Sequence, residues 1–186
     1  LIPNGSNQLI ICNLNKFKIE FSLTDFPFNL NENSIALIES ASSKFLLCAC
    51  KKFSKNQSNG ILIVNLKVLD EESMEYKFFD TGNFEVYCFC QIFGNSIFIF
   101  VGGFDLDKRL GMIKLFKVKD ENETEIQFLQ DIENIEDNKD SLLFDSPVNN
   151  IIQTKDSGKI IITTNDGRIY LFSKPNLDFY LKAQKG

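Results

Sequence analysis

Short apolar runs separated by polar, turn-forming stretches follow one another along the whole chain. Several runs alternate apolar and polar residues, as in 16–21 and 125–128, and this period of two places successive side chains on opposite faces of a β-strand. No stretch keeps a helical period over three turns. The pattern predicts an all-β chain, with strands at 8–13, 16–22, 34–39, 44–50, 61–68, 75–79, 84–92, 96–102, 112–118, 125–129, 148–153, 159–164, 168–173 and 179–182.

Four glycines mark a repeat along this series of strands. Gly5, Gly60, Gly111 and Gly167 each precede an apolar run, at intervals of 55, 51 and 56 residues. Another apolar run lies before each of the last three glycines, and the turn residues between the two runs are typical of a β-hairpin. A further strand is predicted upstream of each hairpin and an amphipathic strand downstream. Each repeat therefore supplies four strands.

A four-strand repeat of about 50 residues is typical of a β-propeller blade. We predict a partial β-propeller with about three complete four-stranded antiparallel blades plus two strands of a preceding blade. The blades cover approximately residues 33–80, 83–131 and 147–183, the two extra strands lie within 8–24, and all of 1–186 is a fragment of one propeller domain. The alternative is a β-sandwich of about ten strands, and the regular glycine spacing argues against it.

Three and a half blades do not close a ring, since propellers have about four to eight blades. We expect the remaining blades to come from further residues of the same polypeptide. A second copy or a partner chain is the alternative source. The chain starts Leu-Ile-Pro-Asn-Gly, without Met or a signal segment, which favours an internal fragment.

The hairpin Asn165-Asp166-Gly167-Arg168-Ile169-Tyr170-Leu171-Phe172 resembles the middle hairpin of WD-repeat propellers, in which a turn is followed by a strand that ends in an aromatic residue. The chain has no Trp-Asp dipeptide, no Gly-His pair and no Trp. It therefore resembles a divergent member of that broad family. The resemblance implies a propeller that binds other proteins.

A narrower similarity lies within residues 97–172. The runs Ile99-Phe100-Val101-Gly102-Gly103 and Gly111-Met112-Ile113-Lys114-Leu115-Phe116, followed by Pro147-Val148 and Lys159-Ile160-Ile161, resemble the polyadenylation-factor and damaged-DNA-binding group. Those proteins are multi-propeller scaffolds of RNA-processing and ubiquitin-ligase complexes. The Gly-Gly hairpin with its inserted loop is also similar to coat-assembly exchange factors of the endoplasmic reticulum, whose propeller binds a small GTPase.

Composition narrows the classes of partner. The net charge of −5 and the pI near 4.9 argue against direct nucleic-acid binding, which needs clustered Lys and Arg. Every apolar run is shorter than the roughly 20 residues of a membrane-spanning helix, so we predict no membrane segment in this piece.

Five cysteines are the candidate metal ligands or disulfide partners: Cys12, Cys48, Cys50, Cys88 and Cys90. In each Cys-x-Cys pair both sulfurs fall on one face of a predicted strand among apolar neighbours. The chain has no His, and zinc sites commonly use Cys-x2-Cys or wider spacings. We predict reduced core cysteines and an intracellular location, cytoplasmic or nuclear. A metal site or a disulfide is the alternative.

Other candidate chemistry is weaker. Without His, serine-type catalysis lacks its usual general base. Gly102-Gly103 lacks the Gly-Lys-Ser/Thr ending of a phosphate loop, and we expect it to turn the backbone out of a strand. Asp105 and Asp107 match half of a calcium loop, but the closing position holds Phe116. The acidic stretch 131–140 is interpreted as a solvated loop, with binding of a basic partner as the alternative. We expect no cofactor and no enzyme activity.

We therefore predict a non-enzymatic protein–protein interaction scaffold within a larger complex. The alternative is a GTPase-regulating, nucleotide-exchange propeller of the coat-assembly type, in which Lys108 and Arg109 contact a phosphate or a switch region. A propeller hydrolase is a third, weaker alternative. Partner contacts are assigned to two hairpin loops, because loop residues vary without disturbing a core. The residues are Lys51, Lys52, Lys55, Asp105, Asp107, Lys108 and Arg109.

Overall fold

The fold is all-β throughout the part of the chain that this computed structural model describes, residues 9–13, 18–23, 29–39, 44–51, 58–66, 76–92, 98–120, 125–132, 143–154 and 159–173. The strands are β1 (Leu9–Asn13), β2 (Lys18–Leu23), β3 (Asn29–Glu39), β4 (Lys44–Lys51), β5 (Asn59–Asn65), β6 (Tyr76–Gly82), β7 (Phe84–Gln91), β8 (Phe98–Asp105), β9 (Leu110–Asp120), β10 (Glu125–Ile132), β11 (Val148–Gln153), β12 (Lys159–Thr164) and β13 (Ile169–Ser173).

Consecutive strands pair antiparallel with their neighbours along the chain. Strands β1 and β2 form a two-stranded sheet, β3–β6 form sheet I, β7–β10 form sheet II, and β11–β13 form sheet III. The first thirteen predicted strands are thereby confirmed, and the sheets divide the chain where the sequence repeat does. The predicted strand 179–182 lies outside the described residues. Strand β3 begins at Asn29, before the predicted position 34, and its pairing with β4 is irregular between Leu30 and Ile35.

Sheets I, II and III are stacked face to face. One hydrophobic cluster joins sheet I to sheet II, and Ile38, Leu47 and Ile99 are nearly solvent-free members of it. A second cluster joins the opposite face of sheet II to sheet III, through residues such as Phe100 and Ile162. Sheet II therefore buries both of its faces, which explains why its second strand, β8, is a nearly continuous apolar run.

The first strands of the three sheets lie close to one another. Strand β7 packs against β3, β4 and β5, and β11 packs against β7, β8 and β9. Sheets II and III approach closely at Gly102, where an added Cβ would lie 2.7 Å from Val148 Cγ1. Aromatic rings fill much of the space between sheets I and II: Phe84 on β7 is buried there, and the ring centroids of Phe79 and Phe116 lie 5.3 Å apart in an edge contact. Three phenylalanines in strands, Phe45, Phe98 and Phe116, are among the most deeply buried side chains of the core.

A backbone hydrogen bond recurs in two successive sheets. Leu106, which follows β8, donates its N–H to the carbonyl of Asn83, the residue before β7, at 3.0 Å. Asn165, which follows β12, donates in the same way to Pro147, the residue before β11, at 3.0 Å. Each bond ties the entry to a sheet to the hairpin between its second and third strands. The repeat seen in the sequence therefore extends to the hydrogen bonds of sheets II and III.

The glycines that mark the repeat do not all lie in turns. Gly167 is a turn residue, with φ of +83°, but Gly60 and Gly111 lie inside β5 and β9. The interpretation of Gly102-Gly103 as the point where the chain leaves a strand is wrong, because β8 continues to Asp105. A Cβ at Gly103 would meet the Glu85 carbonyl oxygen at 2.0 Å, so these glycines admit close backbone approach instead.

Candidate partner-binding site

The hairpin loop between β8 and β9 contains four of the predicted partner-binding residues. Asp105 ends β8, and its Oδ1 accepts hydrogen bonds from the backbone N–H groups of Asp107 and Lys108, each at 3.0 Å. An Asp side chain that caps a turn in this way fixes the loop locally. Arg109 has a left-handed backbone, with φ of +56°. The loop is therefore a defined turn and not an open spacer.

Asn83 anchors the same loop to the entry of sheet II. Its side-chain amide donates to both carboxylate oxygens of Asp107, at 3.1 and 3.0 Å, while its carbonyl accepts the N–H of Leu106. Leu106 nevertheless keeps 42% of its surface exposed. The loop thus combines a fixed backbone with an exposed apolar side chain beside charged ones.

Lys108 and Arg109 are not equivalent at the tip of this loop. The Lys108 ammonium lies 3.4 Å from Asp131, which also binds Lys114 at 2.7 Å. Lys114 in turn lies over the rings of Phe84 and Phe128. Asp131 and Ile132, the first residues of the predicted acidic loop, are strand residues of β10, so the loop interpretation is wrong for them, and Asp131 forms ion pairs with both lysines. Residues 133–140 lie outside the described part of the chain. Arg109 and Lys108 are both exposed, and Lys108 is the one for which an ion pair with Asp131 is described.

Lys51, at the end of β4 in sheet I, forms an ion pair with a residue of sheet II. Its ammonium lies 3.5 Å from Glu85 Oε2, to which the Tyr87 hydroxyl also donates at 2.7 Å. Burial, and then the Glu85 carboxylate, raise the pKa of Tyr87 to about 12. Glu85 pairs with Phe104, next to Asp105, so Lys51 and the β8–β9 loop lie at the same end of the sheets. The predicted contacts Lys52 and Lys55 lie outside the described residues.

The hairpin between β12 and β13 corresponds to the β8–β9 loop in sheet III. The Thr164 hydroxyl donates to Asp166 at 2.5 Å, and Asp166 lies 3.1 Å from Arg168. The Thr164 bond, aided by Arg168, lowers the pKa of the Asp166 carboxyl. Residues 165–168 are exposed. This second ordered loop therefore carries charge at the same end of the next sheet.

The described cysteines are core residues, as predicted. Cys48 and Cys50 lie together on one face of sheet I, and Cys88 and Cys90 lie on the face of sheet II towards sheet III. Burial raises the pKa of Cys48, Cys50 and Cys88 to about 12. Neutral, enclosed thiols are poor nucleophiles and poor metal ligands. The side chain of Cys12 is outside the described part.

Comparison with protein-family models, with curated proteins and with solved structures found no match. The similarity to WD-repeat propellers and to the narrower groups stays a prediction. Within the described residues, no three His, Cys, Asp or Glu side chains are grouped as a metal site would require. No helix long and apolar enough to cross a membrane occurs in that part of the chain.

Sequence reasoning missed the residues that support the loop. Asn83 and Asp131 lie 24 and 23 residues from their partners Asp107 and Lys108. Asn83 has no local signal in a chain rich in Asn, and Asp131 is marked only as one of the acidic residues of the stretch 131–140. Leu106 could be found from sequence, because it is the single apolar residue among Asp105, Asp107, Lys108 and Arg109.

Proposed function

We propose that this chain is part of a divergent WD-type β-propeller that acts as a non-enzymatic protein–protein interaction scaffold. Partners contact the end of the sheets where the β8–β9 loop lies. The arrangement of sheets I, II and III is the observation that carries this proposal. The proposed location is intracellular, in keeping with the buried, unpaired thiols of Cys48, Cys50 and Cys88.

The stacking favours blades over the layers of a sandwich. In a two-layer sandwich each sheet buries one face, whereas sheet II buries both. Contact is concentrated at the first strands, with β7 against β3 and β11 against β7, as expected when sheets radiate from an axis. Together these features support a radial arrangement of successive four-strand units.

The β8–β9 loop supports the assignment of a binding role. Binding is strongest when a surface is ordered before the partner arrives, since less conformational entropy is lost. The bonds from Asn83 and Asp105 provide that order, while Leu106 and Arg109 remain accessible. Arginine is among the residues enriched at protein interfaces and at their hot spots.

The nucleotide-exchange alternative receives less support. It uses Lys108 and Arg109 together, yet Asp131 lies beside the Lys108 ammonium. The hydrolase alternative receives no support from the cysteines, because a thiol with a pKa of about 12 is protonated at neutral pH. The scaffold is therefore the function that we propose.

The test uses a photo-reactive amino acid in place of Arg109, in the protein expressed in the organism that encodes it. We expect a discrete cross-linked partner protein. The same amino acid at Lys77, an exposed position on β6, is the control and should give no such product. The identified partner is then titrated with purified Arg109→Glu and Lys77→Glu variants.

Arg109→Glu should weaken binding at least tenfold, and Lys77→Glu should leave it unchanged. Equal cross-linking at the two positions, or unchanged affinity of a folded Arg109→Glu protein, would reject the proposed surface. If the partner is a small GTPase whose nucleotide release is accelerated, the exchange function replaces the scaffold.

A further inference from the structure

A short connector, residues 143–147, leads into β11 and lies against the β8–β9 hairpin of sheet II. Its residue Phe144 forms an antiparallel β-bridge with Gly111 of β9, through backbone hydrogen bonds of 2.7 and 2.9 Å. The approach is close, since a Cβ added to Gly111 would lie 2.1 Å from the Ser146 carbonyl oxygen. The connector is therefore bonded to sheet II directly beside the β8–β9 loop.

The connector also holds the β12–β13 hairpin of sheet III. The Ser146 hydroxyl oxygen accepts the backbone N–H of Asp166 at 3.2 Å. The ring of Phe144, a residue that is only 3% exposed, lies 4.8 Å from the ring of Tyr170 on β13, measured between centroids. Because the connector is bonded on both sides, the β8–β9 loop and the β12–β13 hairpin form one ordered surface that spans sheets II and III.

Charges of alternating sign follow one another across this surface. Since the bridge is antiparallel, Asp145, the residue after Phe144, is placed beside position 110, which directly follows Arg109. The Asp145 carboxylate lies 3.9 Å from the Arg168 guanidinium, and that guanidinium lies 3.1 Å from Asp166. The row therefore runs Arg109, Asp145, Arg168, Asp166, and its signs are plus, minus, plus, minus.

The charges of this row are accessible to a partner. The Asp145 side chain is 87% exposed and the Arg168 side chain is 60% exposed. Arg109 is exposed as well. An exposed ion pair such as the one between Asp145 and Arg168 contributes little to the stability of a fold. These two side chains therefore change their contacts at small cost when a partner arrives.

We propose that the partner of this scaffold is a protein that contacts sheets II and III together and presents charges of the opposite order. It offers a carboxylate to Arg109, a basic group to Asp145 and a carboxylate to Arg168. The inference rests on the proposed function and names the kind of partner that fits it. Alternating charges fix the register of an interface and reject wrong partners, because like charges that meet in a contact repel.

The same pattern argues against a partner with charges of one sign. A nucleic acid or a uniformly acidic segment would bring negative groups against Asp145 and Asp166. A uniformly basic segment would meet Arg109 and Arg168. A protein surface that carries both signs is the partner that matches the whole row.

Photo-cross-linking tests whether one partner spans both sheets. The photo-reactive amino acid that replaces Arg109 in the test of the proposed function is placed at Asn165, an exposed neutral residue of the β12–β13 hairpin. We expect the same cross-linked protein from positions 109 and 165, and none from Lys77. A product at 109 without one at 165 overturns the two-sheet surface and leaves the scaffold standing. Absence of a product at 109 rejects the proposed function as well.

Charge reversal tests the order of the signs. The protein recovered by cross-linking at position 109 is purified and titrated. Asp145→Lys should weaken its binding roughly fivefold or more at low salt, and less at high salt, because exposed charges are screened. Glu39→Lys makes the same change of net charge at the opposite end of β3 and should leave the affinity unchanged. Equal effects of the two variants would show that net charge and not the row controls binding, which overturns the proposal.

A double variant separates recognition from support of the loop. Asp145→Lys combined with Arg168→Glu keeps opposite charges at these two positions but reverses their order along the row. We expect binding to remain weak in a protein whose melting temperature is unchanged. Recovery of wild-type affinity would overturn the proposal, since the two charges would then act only on each other. The effect of Arg109→Glu is measured separately, so that result leaves the proposed scaffold standing.

Discussion

The side-chain amide of Gln91 is hydrogen-bonded to both backbone groups of Glu39. Gln91 Nε2 donates to the Glu39 carbonyl at 2.6 Å, and Gln91 Oε1 accepts the Glu39 N–H at 3.3 Å. Gln91 ends the first strand of sheet II and Glu39 ends the first strand of sheet I. The side chain of Gln91 thus links the first strands of two sheets. It bonds the backbone of Glu39 as a neighbouring strand would.

Replacing Gln91 by Ala should therefore weaken the contact between sheets I and II. Two backbone groups lose their partners, and we expect the free energy of unfolding to fall by about 1 kcal/mol. Urea denaturation measures this, with Gln127→Ala, at an exposed position on β10, as the control. Equal stability of the two variants would mean that the Gln91 bridge does not hold the sheets together.

Gly102→Ala should destabilise the contact between sheets II and III. The added Cβ would lie 2.6 Å from Cys88 Sγ, 2.7 Å from Val148 Cγ1 and 2.9 Å from Ile151 Cδ1, all too close for real contacts. Overpacking of this kind costs about 1–3 kcal/mol. Val148→Ala removes one of the three clashing groups, so the double variant should lose less stability than the two single variants combined. If the losses of stability of the two single variants add up to the loss of the double variant, this would argue against close approach at Gly102.

Introducing glycine at position 109 and removing it at position 167 should change the free energy of unfolding in opposite directions. Both have positive φ, but only Gly167 lacks a side chain. Arg109→Gly should raise the free energy of unfolding by up to about 1 kcal/mol, because it relieves a left-handed conformation. Gly167→Ala should lower it by about 1 kcal/mol, although no atom lies within 4 Å of the new Cβ. A change of the same sign in both variants would show that these turns adopt other conformations in solution.

The buried thiols predict a loss of stability at alkaline pH. Cys48, Cys50 and Cys88 have pKa values of about 12 when folded, against an ordinary 9.0. Above pH 9 the unfolded chain releases thiol protons that the folded chain retains, so stability is complete below pH 9 and falls as the pH rises towards 12. Each thiol contributes a slope of up to about 1.4 kcal/mol per pH unit.

Urea denaturation at a series of pH values measures that slope. Cys88→Ala should reduce the slope of the free energy of unfolding against pH by the contribution of one thiol. Any change in stability that the substitution causes at neutral pH is the same at every pH and does not alter the slope. The comparison is sharpest just above pH 9, below the ordinary pKa of 10.0 at which Tyr87 begins to contribute. An unchanged slope in Cys88→Ala would contradict a buried, protonated thiol.

The strands were predictable because their signal is local. Alternating runs such as Lys18–Leu23 and hairpin turns such as the one at Gly167 are properties of neighbouring residues. The wrong roles given to Gly60 and Gly102 have the opposite origin. Glycine is common both in turns and where another chain segment approaches closely, and only the second sheet reveals which case applies.

The candidate site was predictable in part for the same reason. Asp105, Asp107 and the following basic residues form a turn that the sequence identifies. The contacts that decide the role of each residue come from distant parts of the chain: Asn83 orders the loop, and Asp131 forms an ion pair with Lys108. Contacts over more than 20 residues depend on how strands are placed in the sheet, which a single sequence does not specify.

Radial stacking of the three sheets is tested most directly by spin-label distances across the whole stack. Labels at Leu37 on β3 and Ile152 on β11 report on the first strands of sheets I and III. Labels at Tyr76 on β6 and Leu171 on β13 report on later strands of the same two sheets. Doubly labelled chains are diluted into excess unlabelled protein, so that only distances within one chain are measured. Radiating sheets predict a clearly shorter distance for Leu37 to Ile152 than for Tyr76 to Leu171. Parallel layers would be separated by about 20 Å throughout, and equal distances for the two pairs would contradict the radial arrangement.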